Sequence, residues 1–172
     1  MNGKKLFLCK TFLIVFVMLI LSCCGYQMVK EKGIFGGEIS SIYVPLFKNK
    51  TYEPHSSGYV TDAFEKELIA TGIFKLNKED SDGYIQGTIT RIRIIPSAMS
   101  ALGVVVEKNI DMSIDLSLFN KTGAFIKKWT LTETEIYNTI DVSTEDYNKR
   151  EALGRMAGRM ARKFSSIVLI DY

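Results

Sequence analysis

Ten residues, Ile110 to Phe119, constrain the fold of this chain more than any other stretch. Ile110, Met112, Ile114, Leu116 and Leu118 take every second position, and Asp111, Ser113, Asp115 and Ser117 fill the gaps. A period of two puts the five apolar side chains on one face of a strand and the polar ones on the other. A slip of one residue would turn all five into water, so the register is fixed. Asn120-Lys121-Thr122-Gly123 then has the composition of a hairpin turn. Phe125 to Glu135 returns, with Phe125, Trp129 and Leu131 apolar and Lys128, Thr130, Thr132 and Thr134 opposite. Strands joined by tight turns pair antiparallel, one face covered and one face wet.

The cover has to come from helices, and two segments have helical spacing. Over Ser57 to Thr71, Val60, Ala63, Phe64 and Leu68 share a face that excludes Glu65 and Lys66. Ser56 or Ser57 is the expected cap, Gly72 the stop, and Ile73 the hydrophobic residue that accompanies such a stop. The second helix runs from Thr144 to about Val168, capped by Ser143 or Thr144, with Glu145 and Asp146 near its positive end. Its apolar stripe is Leu153, Met156, Ala157, Met160, Phe164, Ile167 and Val168, with Arg155, Arg159 and Arg162 expected as a solvated opposite side. Ser41 to Phe47 is the expected first strand, with Ile42, Val44 and Leu46 alternating and Pro45 marking an edge or a bulge. A short strand at Phe74–Leu76, an acidic turn at Glu79 to Gly83 and a long strand at Tyr84 to Ile95 complete the set. The order β–α–β–β–β–β–α predicts an α+β two-layer sandwich. Two helices pack on one face of a mostly antiparallel sheet of four to five strands.

Upstream of the domain the chain reads differently. Residues 1–23 contain Lys4, Lys5 and Lys10, no acid, and the apolar run Phe12 to Leu21. That is the layout of a bacterial secretion signal; the run is short of the roughly 20 residues a membrane span needs. Leu21-Ser22-Cys23-Cys24-Gly25 resembles the lipobox of bacterial lipoproteins, in which cleavage leaves an acylated cysteine first. Two frames compete, and Cys24 as acceptor fits better, because Leu21 and Ser22 then occupy their proper slots. A disulfide between adjacent cysteines strains the peptide. A zinc site needs about four ligands, and Cys9 and His55 are the only other candidates. Several acyl chains hold a protein to a membrane far better than one. Residues 24–40, with Gly33, Gly36, Gly37 and the charges Lys30, Glu31 and Lys32, read as a lipidated start and flexible tether, and 41–172 as one domain.

Charge adds little. The chain has 22 Lys and Arg against 19 Asp and Glu; three of the lysines lie in residues 1–23, so 24–172 holds 19 of each. No basic run points to nucleic acid. No Ser/His/Asp set, phosphate loop or metal cluster is apparent: His55 reads as a solvated loop residue, and Asp111 and Asp115 as the wet face of a strand. The expectation is a protein that is not an enzyme and carries no cofactor or metal.

Cys24-Gly25-Tyr26, "SSIYVPLFKNKTYEP" (40–54), "VTDAFEKELIATGIFKL" (60–76) and "SDGYIQGTITRI" (81–92) resemble the lipopolysaccharide-assembly lipoprotein family LptE. The strongest local match is I-x-V-P-x-F-x-N-x-T at 42–51; the C-terminal half matches in layout more than in residues. The resemblance implies two helices on a sheet, held at the periplasmic face of the outer membrane by the N-terminal lipid. It also implies a domain that plugs the barrel of LptD and assists delivery of lipopolysaccharide to the outer leaflet. Gly25 is not the aspartate associated with inner-membrane retention. The alternative is another outer-membrane lipoprotein, a cell-envelope or secretion accessory factor.

Lipopolysaccharide calls for cations beside apolar surface, because its head group is rich in phosphate. Arg91 and Arg93 lie two apart on one strand, beside Ile89 and Ile95, and Lys127 and Lys128 lie on another. Two readings stand: contacts to lipid phosphates or acidic barrel residues, or plain solvated charge. The uncharged loop Pro96 to Gly103, with Met99 and Leu102, is either a docking element or a loop folded onto its own core.

Overall fold

The computed structural model describes residues 39–170. Six strands and two helices follow in the order β1 (Ser41–Tyr43), β2 (Lys48–Asn49), α1 (Ser56–Thr71), β3 (Lys75–Leu76), β4 (Gly83–Met99), β5 (Val105–Asn120), β6 (Phe125–Asn138) and α2 (Glu145–Ile170). The sheet order is β3-β1-β4-β5-β6, with β2 also beside β4. β4, β5 and β6 form the expected antiparallel meander, whereas β1 pairs parallel with β3 and β4, and β2 parallel with β4. The sheet is therefore mixed. Its parallel part follows from α1, which carries the chain back across the sheet between β2 and β3.

The alternation of β5 is realised in full: Ile110, Met112, Ile114, Leu116 and Leu118 are all buried. They face α1 and α2, whose stripes bury Val60, Phe64 and Leu68, and Leu153, Met156, Ala157, Met160, Phe164 and Val168. At the centre, Phe64 bridges Phe47 and Phe164 with ring centroids 5.2 and 5.7 Å apart, and Trp129 meets Phe164 edge-on at 5.2 Å. Aromatic pairs in these geometries add about 0.5–1.5 kcal/mol each beyond area burial. The core already begins at Ile39, inside the last two residues of the expected tether. Among the described residues, no helix is long and apolar enough to cross a membrane.

The first strand differs most from expectation. β1 stops at Tyr43, and Pro45, which has no N–H to give a ladder, interrupts the run before β2. The alternation breaks there: Val44 and Phe47 are buried while Leu46 is 67% exposed. The Phe47 ring lies against the backbone of Gly87, where any Cβ would overlap it. Phe47 N–H donates to Thr61 Oγ1 at 2.9 Å, which fastens the segment to α1.

Helix ends differ in detail. α1 begins after His55, whose φ is 61° and whose side chain makes no cap. Ser56 lies inside the helix with its hydroxyl on Glu53 O. Gly72, at φ 62°, ends α1 with its N–H on the carbonyls of Leu68 and Ile69. Ahead of α2, the Ser143 hydroxyl donates to Asp141 Oδ1 and Thr144 Oγ1 to Asp141 O, while Thr144 O accepts the first helical bond from Asn148. Thr144 is thus the cap by position, and an Asp141 turn takes the hydroxyls.

Candidate functional site

The face of the sheet away from the helices is the open one, and its side chains fall into cross-strand rows across β4, β5 and β6. In order they are Tyr84–Phe119–Phe125, Gln86–Ser117–Lys128, Thr88–Asp115–Thr130, Arg91–Ser113–Thr132, Arg93–Asp111–Thr134 and Ile95–Asn109–Ile136. The first row is aromatic: Tyr84 stacks on Phe119 at 5.0 Å, and Phe125 meets Phe119 edge-on at 5.9 Å. Phe125 was expected on the covered side. A register shift at Leu118/Phe119 places it opposite Phe119, 60% exposed.

The middle rows hold the expected charges, mostly partnered. Arg93 donates Nη2 and Nε to Asp111 Oδ2 at 2.7 and 3.2 Å, and Thr134 Oγ1 donates to Asp111 Oδ1 at 3.0 Å. Lys128 Nζ lies 2.7 Å from Asp115 Oδ2, and Thr130 donates to Asp115 Oδ1 at 2.8 Å. The Arg93 bonds, with Thr134, hold the Asp111 carboxyl below its usual range, and the Lys128 bond, with Thr130, does the same for Asp115. Arg91 reaches only the Ser113 hydroxyl, at 3.3 Å, and has no carboxylate partner among the described residues.

Arg91, Arg93 and Lys128 thus share one face, but Lys127 does not join them. It pairs with Leu118, so it lies on the helix-covered side, with Nζ 5.6 Å from the Trp129 ring centroid. Arg155 and Arg159 also depart from the solvated stripe expected of them. Arg155 reaches Glu135 at 3.3 Å, and Arg159 reaches Glu133 at 3.4 Å and Glu135 at 2.5 Å. Glu133 and Glu135 sit opposite Met112 and Ile110, hence on the covered side at the sheet's edge, where long arginines of α2 fold over to meet them.

The uncharged segment Pro96 to Gly103 is not folded onto the core. β4 continues to Met99, pairing with β5 through two register shifts, and only the tip is a turn. Ser100 N–H donates to Val104 O at 2.8 Å, and Gly103, at φ 76°, donates to Ser100 O at 3.0 Å. This holds Leu102 at 91% and Met99 at 64% exposure. Ile95, Val104, Ile136, Ile140 and Val142 are exposed as well, and Thr139, next to Ile140, is tied to the hairpin through Val105 O and Val106 O. Sequence reading missed Ile136 and Ile140; the Ile95–Asn109–Ile136 row was the available signal, had the hairpin register been carried that far. Cys24 lies outside the described residues.

Chemically, the open face offers hydroxyls and one uncommitted guanidinium, flanked by two cations that an incoming anion would have to take from Asp111 and Asp115. An apolar tip adjoins it. Such a face suits an anionic ligand or an acidic protein surface with apolar neighbours.

Among known proteins, the family model described as LptE, lipopolysaccharide-assembly, matches residues 39–166. No curated protein matches the chain. An uncharacterized lipoprotein B from Nitrosomonas europaea has a similar structure, with 15% identity over 83% of this chain and 92% of that one and a TM-score of 0.50. A PelC dodecamer structure from Paraburkholderia phytofirmans gives 15% identity, 76% and 89% coverage and 0.50. A protein from Xanthomonas campestris gives 9%, 72% and 82%, and 0.51. At these identities the likeness is one of fold.

Proposed function

Because the chain belongs to the LptE family of lipopolysaccharide-assembly proteins, we propose that it is an outer-membrane lipoprotein that plugs the β-barrel LptD and assists delivery of lipopolysaccharide to the outer leaflet. One observation carries this reading: the family match takes in all six strands, α1 and most of α2. In this arrangement residues 1–23 are removed, Cys24 is acylated, 24–40 form the tether, and 41–172 act as one periplasmic domain. The domain is a binding and assembly subunit and catalyses nothing.

The exposed tip, Met99 and Leu102, enters the barrel interior. Arg91, Arg93 and Lys128 meet lipid phosphates or acidic barrel residues, with Arg91 the most available because no carboxylate holds it, while Lys127, turned to the helix-covered side, stands apart from them. Co-purification with the barrel tests the reading. Met99→Glu with Leu102→Lys weakens recovery of the barrel severalfold while the melting temperature of the domain stays put, since both side chains are exposed. A large loss of melting temperature, or undiminished barrel recovery, counts against it. Lipopolysaccharide retained on purified protein is the second readout: Arg91→Glu with Arg93→Glu lowers it, and unchanged retention removes these residues from the site.

A further inference from the structure

β4 has seventeen residues, but its edge on the β1/β2 side is covered only in part. β1 pairs with Gly83 and Tyr84, β2 pairs with Thr88 and Ile89, and Lys50 N–H donates to Ile89 O at 3.0 Å. There the cover ends. Asn49 turns the chain off the sheet, accepting from Thr51 N–H at 2.8 Å and donating Nδ2 to Glu53 O at 2.7 Å. From Thr90 to Met99, no described residue hydrogen-bonds to the outward backbone of β4. A hollow of about 410 Å³ opens at this point, lined by residues that include Lys50, Tyr52, Arg91, Ile92 and Ile94.

We propose that this vacant lane beside Thr90–Met99 takes a β-strand of another polypeptide, with acidic side chains on its open-face side. Alternating N–H and C=O groups on a strand edge are matched by another extended backbone. On one side of the lane lie the half-buried Ile92 and Ile94, which apolar side chains of the incoming strand cover. On the other lie Arg91, without a carboxylate, and Arg93, 60% exposed beside Asp111. A second copy fits less well: in the antiparallel register that buries Ile92 and Ile94 of both copies against each other, the Arg91/Arg93 pair meets its own image, and like charges across a strand pair repel. The opposite edge of the sheet is defended: Arg159 Nη2 caps Thr134 O at 3.0 Å, and β6 is bulged and heavily charged. Among the described residues, β4 has no such cap over this stretch.

Amide hydrogen exchange of the full chain in detergent tests the proposal, with two blocked peptides as probes, one of five Val-Glu repeats and one of five Val-Lys repeats. In the free chain the outward amides between Arg91 and Met99 exchange fast. At millimolar concentration the Val-Glu peptide slows them by about tenfold and leaves β6 and β3 unchanged, while the Val-Lys peptide has little effect. Arg91→Glu with Arg93→Glu reverses the preference; if that variant does not fold, Arg91→Glu alone, which breaks only the Ser113 bond, weakens the Val-Glu effect. Four results overturn the proposal: no slowing with either peptide, equal slowing with both, slowing at another edge instead, or protection in the free chain that rises with its own concentration.

Discussion

Asp82 Oδ2 accepts four hydrogen bonds at 2.8 to 3.0 Å, from the N–H and hydroxyl of Ser40 and of Ser41. Its own N–H donates to Ser41 O, and its carbonyl accepts from Lys121 N–H. The carboxylate therefore clasps the start of the core to the head of β4, and the backbone carbonyl of the same residue ties in the β5–β6 turn. The Ser40 hydroxyl, then the other three donors, hold its pKa far below the usual carboxylate range. A depressed folded pKa adds stability above the unfolded value of about 3.9, and that stability is lost as the pH falls towards the folded value. Asp82→Asn is expected to cost about 1–3 kcal/mol at pH 7. In urea unfolding the gap to the natural chain narrows at pH 3; a gap of constant size would mean that the clasp does not titrate. The acidic turn at 79–83 was visible in the sequence, but the partners of Asp82 lie about forty residues away, out of reach of any local pattern.

At the scale of elements, α2 carries a local cost that no contact among the described residues explains. Gly154 and Gly158 sit in the interior of a 26-residue helix. A Cβ at Gly154 would meet nothing within 4 Å, and one at Gly158 only Arg162 Nη1 at 3.6 Å. Alanine at an open helical site gains about 0.5–1 kcal/mol over glycine. Gly154→Ala is thus expected to raise the melting temperature by a few degrees, with Gly158→Ala close behind, as thermal denaturation would read. The apolar stripe of α2 was legible in the sequence, as was the face of β5, because strict periodicity decides burial wherever a side chain has only two ways to turn. Where the backbone departs from its period, legibility fails. Pro45 turns Leu46 out and Phe47 in, a bulge turns Phe125 out, and two register shifts let β4 run on through a stretch that composition alone marks as loop. The candidate site was legible to the same degree: Arg91 and Arg93 share a face as their spacing requires, whereas adjacent Lys127 and Lys128 fall on opposite faces. The pairing of Arg93 with Asp111 and of Lys128 with Asp115 depends on which residues lie opposite across the strands, and the β5 pattern fixes the face each side chain takes but not its cross-strand partner.

The described residues, 39–170, share one core. Buried side chains from β1, the β1–β2 segment, α1, β4, β5, β6 and α2 belong to a single cluster, and the antiparallel and parallel parts of the sheet share β4. No group of elements has an apolar interior of its own to retreat to. Loss of α2 would expose the covered faces of β5 and β6 together, and loss of α1 would strip Phe47 and Phe164 of the Phe64 ring between them. A domain of this size with a shared core unfolds in one cooperative step. Trp129, the one tryptophan of the chain, provides the probe, since it sits on β6 against Phe164 of α2 and reports docking of that helix on the sheet. Tryptophan fluorescence and far-ultraviolet dichroism are therefore expected to trace the same urea transition with the same midpoint. An earlier fluorescence transition would mean that α2 leaves the sheet before the strands part. Pairs on α2 argue against that order: Arg155 and Arg159 hold Glu133 and Glu135, and Lys149 holds Glu53 just ahead of α1 at 3.0 Å. Each exposed pair adds only about 0–1 kcal/mol, but together they tie α2 to both the meander and the approach to α1, so its departure breaks contacts with both at once.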